Sequence, residues 1–344
     1  MTERQRIHFI DMARGIGIIL VVLGHILSPW DKPFNGNDVL RDYIYSFHMA
    51  LFFIISGVLI YNAVSGKELT IEYLKGKILS LTKKLLVPYF LWSCIYFVLS
   101  HTTLSGKSDV IEWIICIVTF RGRAPIWFLG ALFWSEVAAF IIIYYTKQSK
   151  KHFCIIMFII TITVVVSSMI YHPETIKSVF IDYVIVSVFR GFMCLFFILV
   201  GYMIAGVLLQ KIHHIYKLIL GILMSFGSSV LLNIVFSIKC NFHTYNIKNV
   251  YAYLLSGIAG ALFVLLICKL INSFIRVKTL ELIGKNTMGI MCLHYIPMPF
   301  IPYSASICSY VGITGAKAFL FTFCFVLGGS LICTLILKKF RLVY

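Results

Sequence analysis

The chain has 344 residues, of which 60% are hydrophobic and 12% charged, with a mean hydropathy of +0.95. These values exclude a soluble domain and imply an all-α, polytopic membrane bundle. The formal net charge of +17 would suggest nucleic acid on a soluble protein, so its distribution along the chain has to be read next.

Apolar stretches of membrane-crossing length fall at 8–28, 42–63, 82–101, 125–146, 152–171, 181–208, 217–237, 250–272, 284–303 and 316–337. About ten transmembrane helices result, with both termini cytoplasmic. Nearly all of the length is used, so residues 1–344 are expected to form a single integral-membrane domain. On this topology nineteen of the thirty Lys and Arg lie in inner segments, against four of the thirteen acids. That is the positive-inside pattern: the basic surplus faces membrane lipids, and no nucleic acid is expected as a partner. No small-x-small cleavage site precedes Pro29, so the first stretch is expected to be a retained helix rather than a signal peptide.

Residues 6–29 carry Asp11, Arg14 and His25 in an otherwise apolar run, and ionisable groups inside a membrane are functional candidates. Arg14 and His25 are eleven positions apart, nearly three helical turns, which puts both on one face about 16 Å apart along the axis. Asp11 shares that face. Gly15, Gly17 and Gly24 allow other helices to come close. His48, in the second span, lies on the same side of the membrane as His25, and the short connection from Trp30 to Arg41 makes the two helices neighbours. An imidazole kept neutral in an apolar wall can take a proton from a hydroxyl nucleophile; the plain alternative is a packed histidine. For Arg14 the alternatives are a grip on phosphate, snorkelling to headgroups, or a local pair with Asp11.

Met49–Gly57 of the second span echoes Met193–Gly201 of the sixth, either as a duplication or through shared apolar composition. Lys83 and Lys84 open the third span at the inner face, where the positive-inside rule alone accounts for them. Residues 110–120 are too short to cross and include Glu112 and Trp113, so they are read as interfacial or re-entrant, and the orientation of later spans depends on 102–124. Arg121 and Arg123 then precede Pro125 and Trp127 on the outer side, suited to an anionic acceptor or to lipid phosphates. Glu136 and Arg190 fall near mid-membrane, either paired with each other or lining a cavity. His294, about ten residues into the ninth span, is a relay group or a packed histidine. Cys240 and Cys308 are the cysteines nearest outer loops. No P-loop, H-E-x-x-H, G-x-S-x-G or Cys/His metal spacing occurs, so neither a metal nor a bound cofactor is expected.

Five pieces in order, Asp11-x-x-Arg14-Gly with His25, Phe47-His-Met-x-Leu-Phe-Phe-x-x-Ser-Gly57, Lys83 to Tyr89, Trp127-Phe-Leu129, and Gly284-Lys-Asn-Thr with Leu293-His294, resemble the acyltransferase 3 family. Ala50 stands where that family often has Pro, and Lys83-Lys84 where it often has Arg. The resemblance implies an integral-membrane O-acyltransferase of the bacterial cytoplasmic membrane that modifies surface or lipid-linked carbohydrate. Its donor would be a cytoplasmic acyl-CoA, in the first place acetyl-CoA, with the phosphates on Arg14 and on basic inner segments including Lys83 and Lys84. His25 would be the general base, supported by Asp11 and His48, while Arg121, Arg123, Trp127 and Glu136 are candidates for holding the glycan. A transporter or flippase of a lipid-linked saccharide is the competing expectation.

Overall fold

The computed structural model describes residues 6–27, 37–100, 106–147, 149–212, 214–297 and 315–339. In chain order they form α1 (His8–Leu27), α2 (Asn37–Tyr45), α3 (His48–Val64), α4 (Ile71–Leu81), a π-helical turn (Thr82–Leu86), α5 (Val87–Leu99), α6 (Lys107–Val118), α7 (Trp127–Thr146), α8 (Lys150–Ile170), α9 (Val179–Leu208) and α10 (Ile215–Phe236). A short ribbon of β1 (Lys239–Asn241) and β2 (Asn246–Lys248) precedes α11 (Val250–Phe274), α12 (Lys278–Lys285), α13 (Thr287–Leu293) and α14 (Gly315–Lys339). Among the described residues nine helices are long and apolar enough to cross a membrane. The protein is an all-α, multi-pass membrane protein.

The expected third span begins earlier than its apolar run, at Ile71, because Thr70 caps α4 by accepting a hydrogen bond from the Tyr73 amide. The π turn then carries the helix on without a break: the Val87 amide reaches back five residues to the Thr82 carbonyl, just before Pro88, which has no amide to donate. Residues 110–120 do form a short helix, α6. In the expected ninth span, 284–303, the chain breaks at Asn286. There Asn286 Nδ2 donates to the Leu282 carbonyl (2.7 Å) and Thr287 Oγ1 to the Gly284 carbonyl (2.6 Å), bonds that compete with helix continuation. Beyond position 297 that span lies outside the described residues, as does Cys308.

The chain divides into two compact units. The first comprises Met1–Phe52, Lys211–Cys240 and Ala252–Tyr344. The helix that carries Asp11, Arg14 and His25 is also among its most enclosed: α1 has 67% of its apolar window buried, against 17% for α10 and 22% for α14, whose apolar faces therefore meet lipid. Glycines make this possible. A Cβ at Gly15 would overlap the Leu280 carbonyl of α12, and one at Gly284 of α12 would overlap the Asp11 carbonyl of α1, so the two backbones touch. Gly17 receives the Phe52 ring and Gly24 the Tyr45 ring. A polar seam joins α10 and α11 to the α2–α3 turn, with Asn233 Nδ2 donating to Ser46 (3.0 Å) and Ser256 (2.9 Å).

The second unit comprises Phe53–Gln210 and Asn241–Tyr251. Its α9 packs against α7 and α8. It also meets α3 at a reciprocal glycine crossing: a Cβ at Gly57 would overlap the Ile198 carbonyl, and one at Gly201 the Ile54 carbonyl. These glycines end the two echoed segments, which thus pack on each other through their last residues. A side chain here meets backbone that cannot swing aside, so Gly57→Leu is expected to cost more than the ~1–3 kcal/mol of ordinary overpacking. Membrane-fraction immunoblots should show little accumulated protein, and wild-type accumulation would refute the crossing.

Candidate active site

In the first unit α1 runs unbroken from Asp11 to His25, so the rise expected from the sequence is realised within one helix. At its C-terminal end, His25 is half-buried. The His25 ring lies 5.3 Å from that of His294, 5.7 Å from that of Tyr295 and 6.5 Å from that of Tyr45, centroid to centroid. Tyr45 in turn lies 5.1 Å from His48, so the two histidines expected to be neighbours share a tyrosine. Its hydroxyl donates to the Gly24 carbonyl (3.2 Å) and ties α2 to α1.

Hydrogen bonding sets the chemistry of two rings. His48 Nδ1 bonds the Ile44 carbonyl (2.8 Å) and His294 Nδ1 bonds the Ile290 carbonyl (3.1 Å). A carbonyl only accepts, so both Nδ1 atoms carry the proton and both Nε2 atoms keep a lone pair. His294 is fully buried, and its Nε2 has no hydrogen-bond partner among the described residues. An unsatisfied buried acceptor is costly, and this one stands beside His25. The cluster can accept a proton and orient a hydroxyl. His294 is weighed from the sequence as a relay group or a packed histidine, without a link to His25, and Tyr45 and Tyr295 are not among the sequence candidates. The signal for the first was its position in the Leu293-His294 motif; the tyrosines had none.

At the other end of α1, Asp11 is buried and accepts from Arg6 Nε at 2.6 Å. Arg14 is half-buried. Lys338 of α14 lies within electrostatic reach of both Arg6 and Arg14 and donates to the Lys285 carbonyl (3.2 Å). Buried Glu281 anchors this basic end, bonded by Arg276 (2.6 and 2.9 Å) and Lys285 (3.3 Å), with His8 at 3.2 Å. Arg276 above all holds the Glu281 carboxyl down at about 2, against the opposing effect of burial. In the unfolded chain a glutamate takes up its proton near 4.3, so this contribution is complete above that pH and is lost as pH falls towards 2. We expect the Tm in detergent to drop more steeply from pH 5 to pH 3 in the wild type than in Glu281→Gln, which should start lower at pH 7. Equal slopes would remove Glu281 from the account.

Lys83 and Lys84 belong to the second unit, exposed on the π turn. Glu136 is half-buried on α7. Trp127 is buried, stacked on Phe242 (5.6 Å) beneath the Arg190 guanidinium (4.8 Å). Arg190 donates to the carbonyls of Phe120 (2.8 Å), Arg121 (3.1 Å) and His243 (3.3 Å). This holds a loop in which Phe120, Gly122 and Ala124 all have positive φ (59°, 64° and 49°). Arg121 also donates to the His243 carbonyl and lies over the Tyr183 ring (5.4 Å). Arg123 pairs with Glu112 (2.7 Å) over the Trp113 ring (4.9 Å). His243, in the turn between β1 and β2, bonds through Nε2 to the Gly122 carbonyl (2.9 Å). Burial first, then the charges of Arg121 and Arg190, push its imidazole down to about 3, so the ring is neutral.

These geometries can be set beside known proteins. Residues 7–338 match the family Acyl_transf_3, an acyltransferase domain. The nodulation protein NolL of Mesorhizobium japonicum is 30% identical over 132 residues, 37% of this chain and 33% of that protein. The chain thus spans about a third of the length of that relative. With the family model covering nearly the whole bundle, including both ends of α1, the chain belongs to the acyltransferase 3 family.

Proposed function

We propose that the chain is an O-acyltransferase of the bacterial cytoplasmic membrane, moving an acyl group, in the first place acetyl, from cytoplasmic acyl-CoA to a hydroxyl of a surface or lipid-linked carbohydrate. The observation that carries this reading is the His25–His294 pair with its unfilled acceptor nitrogen. His25 takes the proton of the hydroxyl as its oxygen attacks the thioester carbonyl carbon. The tetrahedral intermediate collapses, the carbon–sulfur bond breaks, and the thiolate leaves and takes the proton from the imidazolium. The products are an O-acyl ester and free CoA. His294 Nε2 accepts from a second hydroxyl of the sugar, or from the same one before transfer, and so fixes its direction.

Arg14, with Arg6, Lys285 and Lys338, offers the donor phosphates a cationic end, and Arg14 positions the donor. The rise of about 16 Å along α1 suits an extended pantetheine arm reaching from that end to His25. Purified protein in nanodiscs, given acetyl-CoA labelled in the acetyl group and a saccharide acceptor, should produce base-labile labelled ester and an equal amount of free CoA thiol. A transporter or flippase would produce neither.

A further inference from the structure

The second unit contains a cavity of about 360 Å³ lined by Glu112, Arg121, Gly122, Arg123, Tyr183 and His243, among others. Its charges do not balance. Arg121 of its lining and Arg190, which lies outside the lining but donates to the carbonyl of the lining residue His243, are 8% and 1% exposed, and neither has a carboxylate within ion-pair distance among the described residues. Both donate to the one carbonyl of His243, which leaves the Nε atoms of both arginines buried and without partners. Glu112 Oε1 is taken up by Arg123 and by the Tyr183 hydroxyl (2.7 Å each), while Asp182, which accepts from the Tyr171 hydroxyl (2.7 Å), acts on Arg121 only from beyond ion-pair distance. The neighbouring His243 ring presents its N–H to a carbonyl and adds no negative charge.

A buried guanidinium without a counter-charge is strongly disfavoured unless something supplies one. Here the surroundings fix the arginines without neutralising them. Tyr183 and Trp113 support Arg121 and Arg123 by their faces, leaving guanidinium edges for a ligand. The left-handed residues around Gly122 are where fixed strain commonly marks a ligand site. Arg123 and Glu112 have side chains 38% and 40% exposed, so the cavity has a partly solvated mouth. Its volume holds one charged sugar ring.

We propose that this cavity binds an oxyanion, phosphate or carboxylate, borne by the saccharide acceptor, so that the enzyme selects anionic glycans. The identity of the ligand as acceptor rests on the acyltransferase reading above; the binding itself does not. The test therefore measures binding without acyl donor, with the full-length protein in phosphatidylcholine nanodiscs. Glucose 1-phosphate or methyl glucuronide should raise the Tm in a concentration-dependent way, while neutral methyl glucoside should not. Arg121→Lys keeps the charge but loses the guanidinium fork, and should weaken the apparent affinity at least about tenfold, from the loss of a charged hydrogen bond. Arg121→Gln should abolish the shift; Arg123→Lys is the second variant should position 121 prove intolerant. No shift with either anionic sugar, an equal shift with methyl glucoside, or a shift unaltered in both lysine variants would overturn the site. Loss of the sugar effect in phosphatidylglycerol nanodiscs would reassign it to lipid headgroups and overturn the acceptor. If the sugars bind but labelled acetyl is not transferred, the site stands and the acyltransferase chemistry fails separately.

Discussion

Alanine at position 25 is expected to lower acyl transfer by about 10²–10⁴-fold, the usual contribution of a positioned general base, in protein that accumulates normally. Among the described residues the half-buried ring meets the rings of His294, Tyr295 and Tyr45 at centroid distances of 5.3–6.5 Å, so the packing loss is expected to be modest and stability little changed. Position 294 provides the control. Gln at 294 can place a carbonyl oxygen near where Nε2 stands, whereas Ala removes the acceptor, so His294→Gln should retain more activity than His294→Ala. A positioning residue should also raise KM for the acceptor, while His25→Ala should act mainly on kcat. Full transfer by His25→Ala, measured with labelled acetyl-CoA in membranes of matched protein content, would remove the general base.

The largest effect on stability is expected at Arg190. Replacing it with leucine relieves the desolvation of a buried cation, a gain that can favour such swaps elsewhere. Here two carbonyls, those of Phe120 and Arg121, would lose their side-chain donor at once, and the His243 carbonyl would keep only Arg121. Each buried orphan costs about 1–3 kcal/mol, so the loss outweighs the relief and takes much of a typical total of about 5–15 kcal/mol. We expect Arg190→Leu to accumulate poorly and to lower Tm sharply in detergent, with Arg190→Lys intermediate, since one ammonium cannot reproduce the planar fork. A leucine variant as stable as wild type would mean that desolvation dominates.

The fold was legible because membrane spans are written in long apolar runs: apart from the expected third and ninth spans, the described helices follow them within a few residues, and α6 is about as short as its apolar stretch. The start of the third span was not, since Thr70 capping and the π turn depend on single side chains rather than on hydropathy. For the site, the glycines of α1 and the His25–Arg14 spacing were readable as one-dimensional geometry. The approach of His294 to His25 was not, because it requires α13 to fold back beside α1 and no local pattern encodes that meeting. The arginine loop falls between these cases. Arg121 and Arg123 stood out as cations on the less basic side, but His243, which accepts from Arg121 and bonds the Gly122 carbonyl from more than a hundred residues away, carries no sequence signal.

The π turn at Thr82–Leu86 carries a further consequence. A helix is a screw, and one additional residue advances everything beyond it by about 100°. That phase offset sets which way α5 faces relative to α4: Tyr89 is fully buried, with its hydroxyl on the Ile117 carbonyl (2.9 Å), while Lys83 and Lys84 point outward. Length in this stretch is therefore as constrained as residue identity. Deleting any single residue from 82 to 86 would restore ordinary winding and turn either the lysines inward or Tyr89 away from its carbonyl, so a one-residue deletion here should be tolerated less well than most substitutions at the same positions.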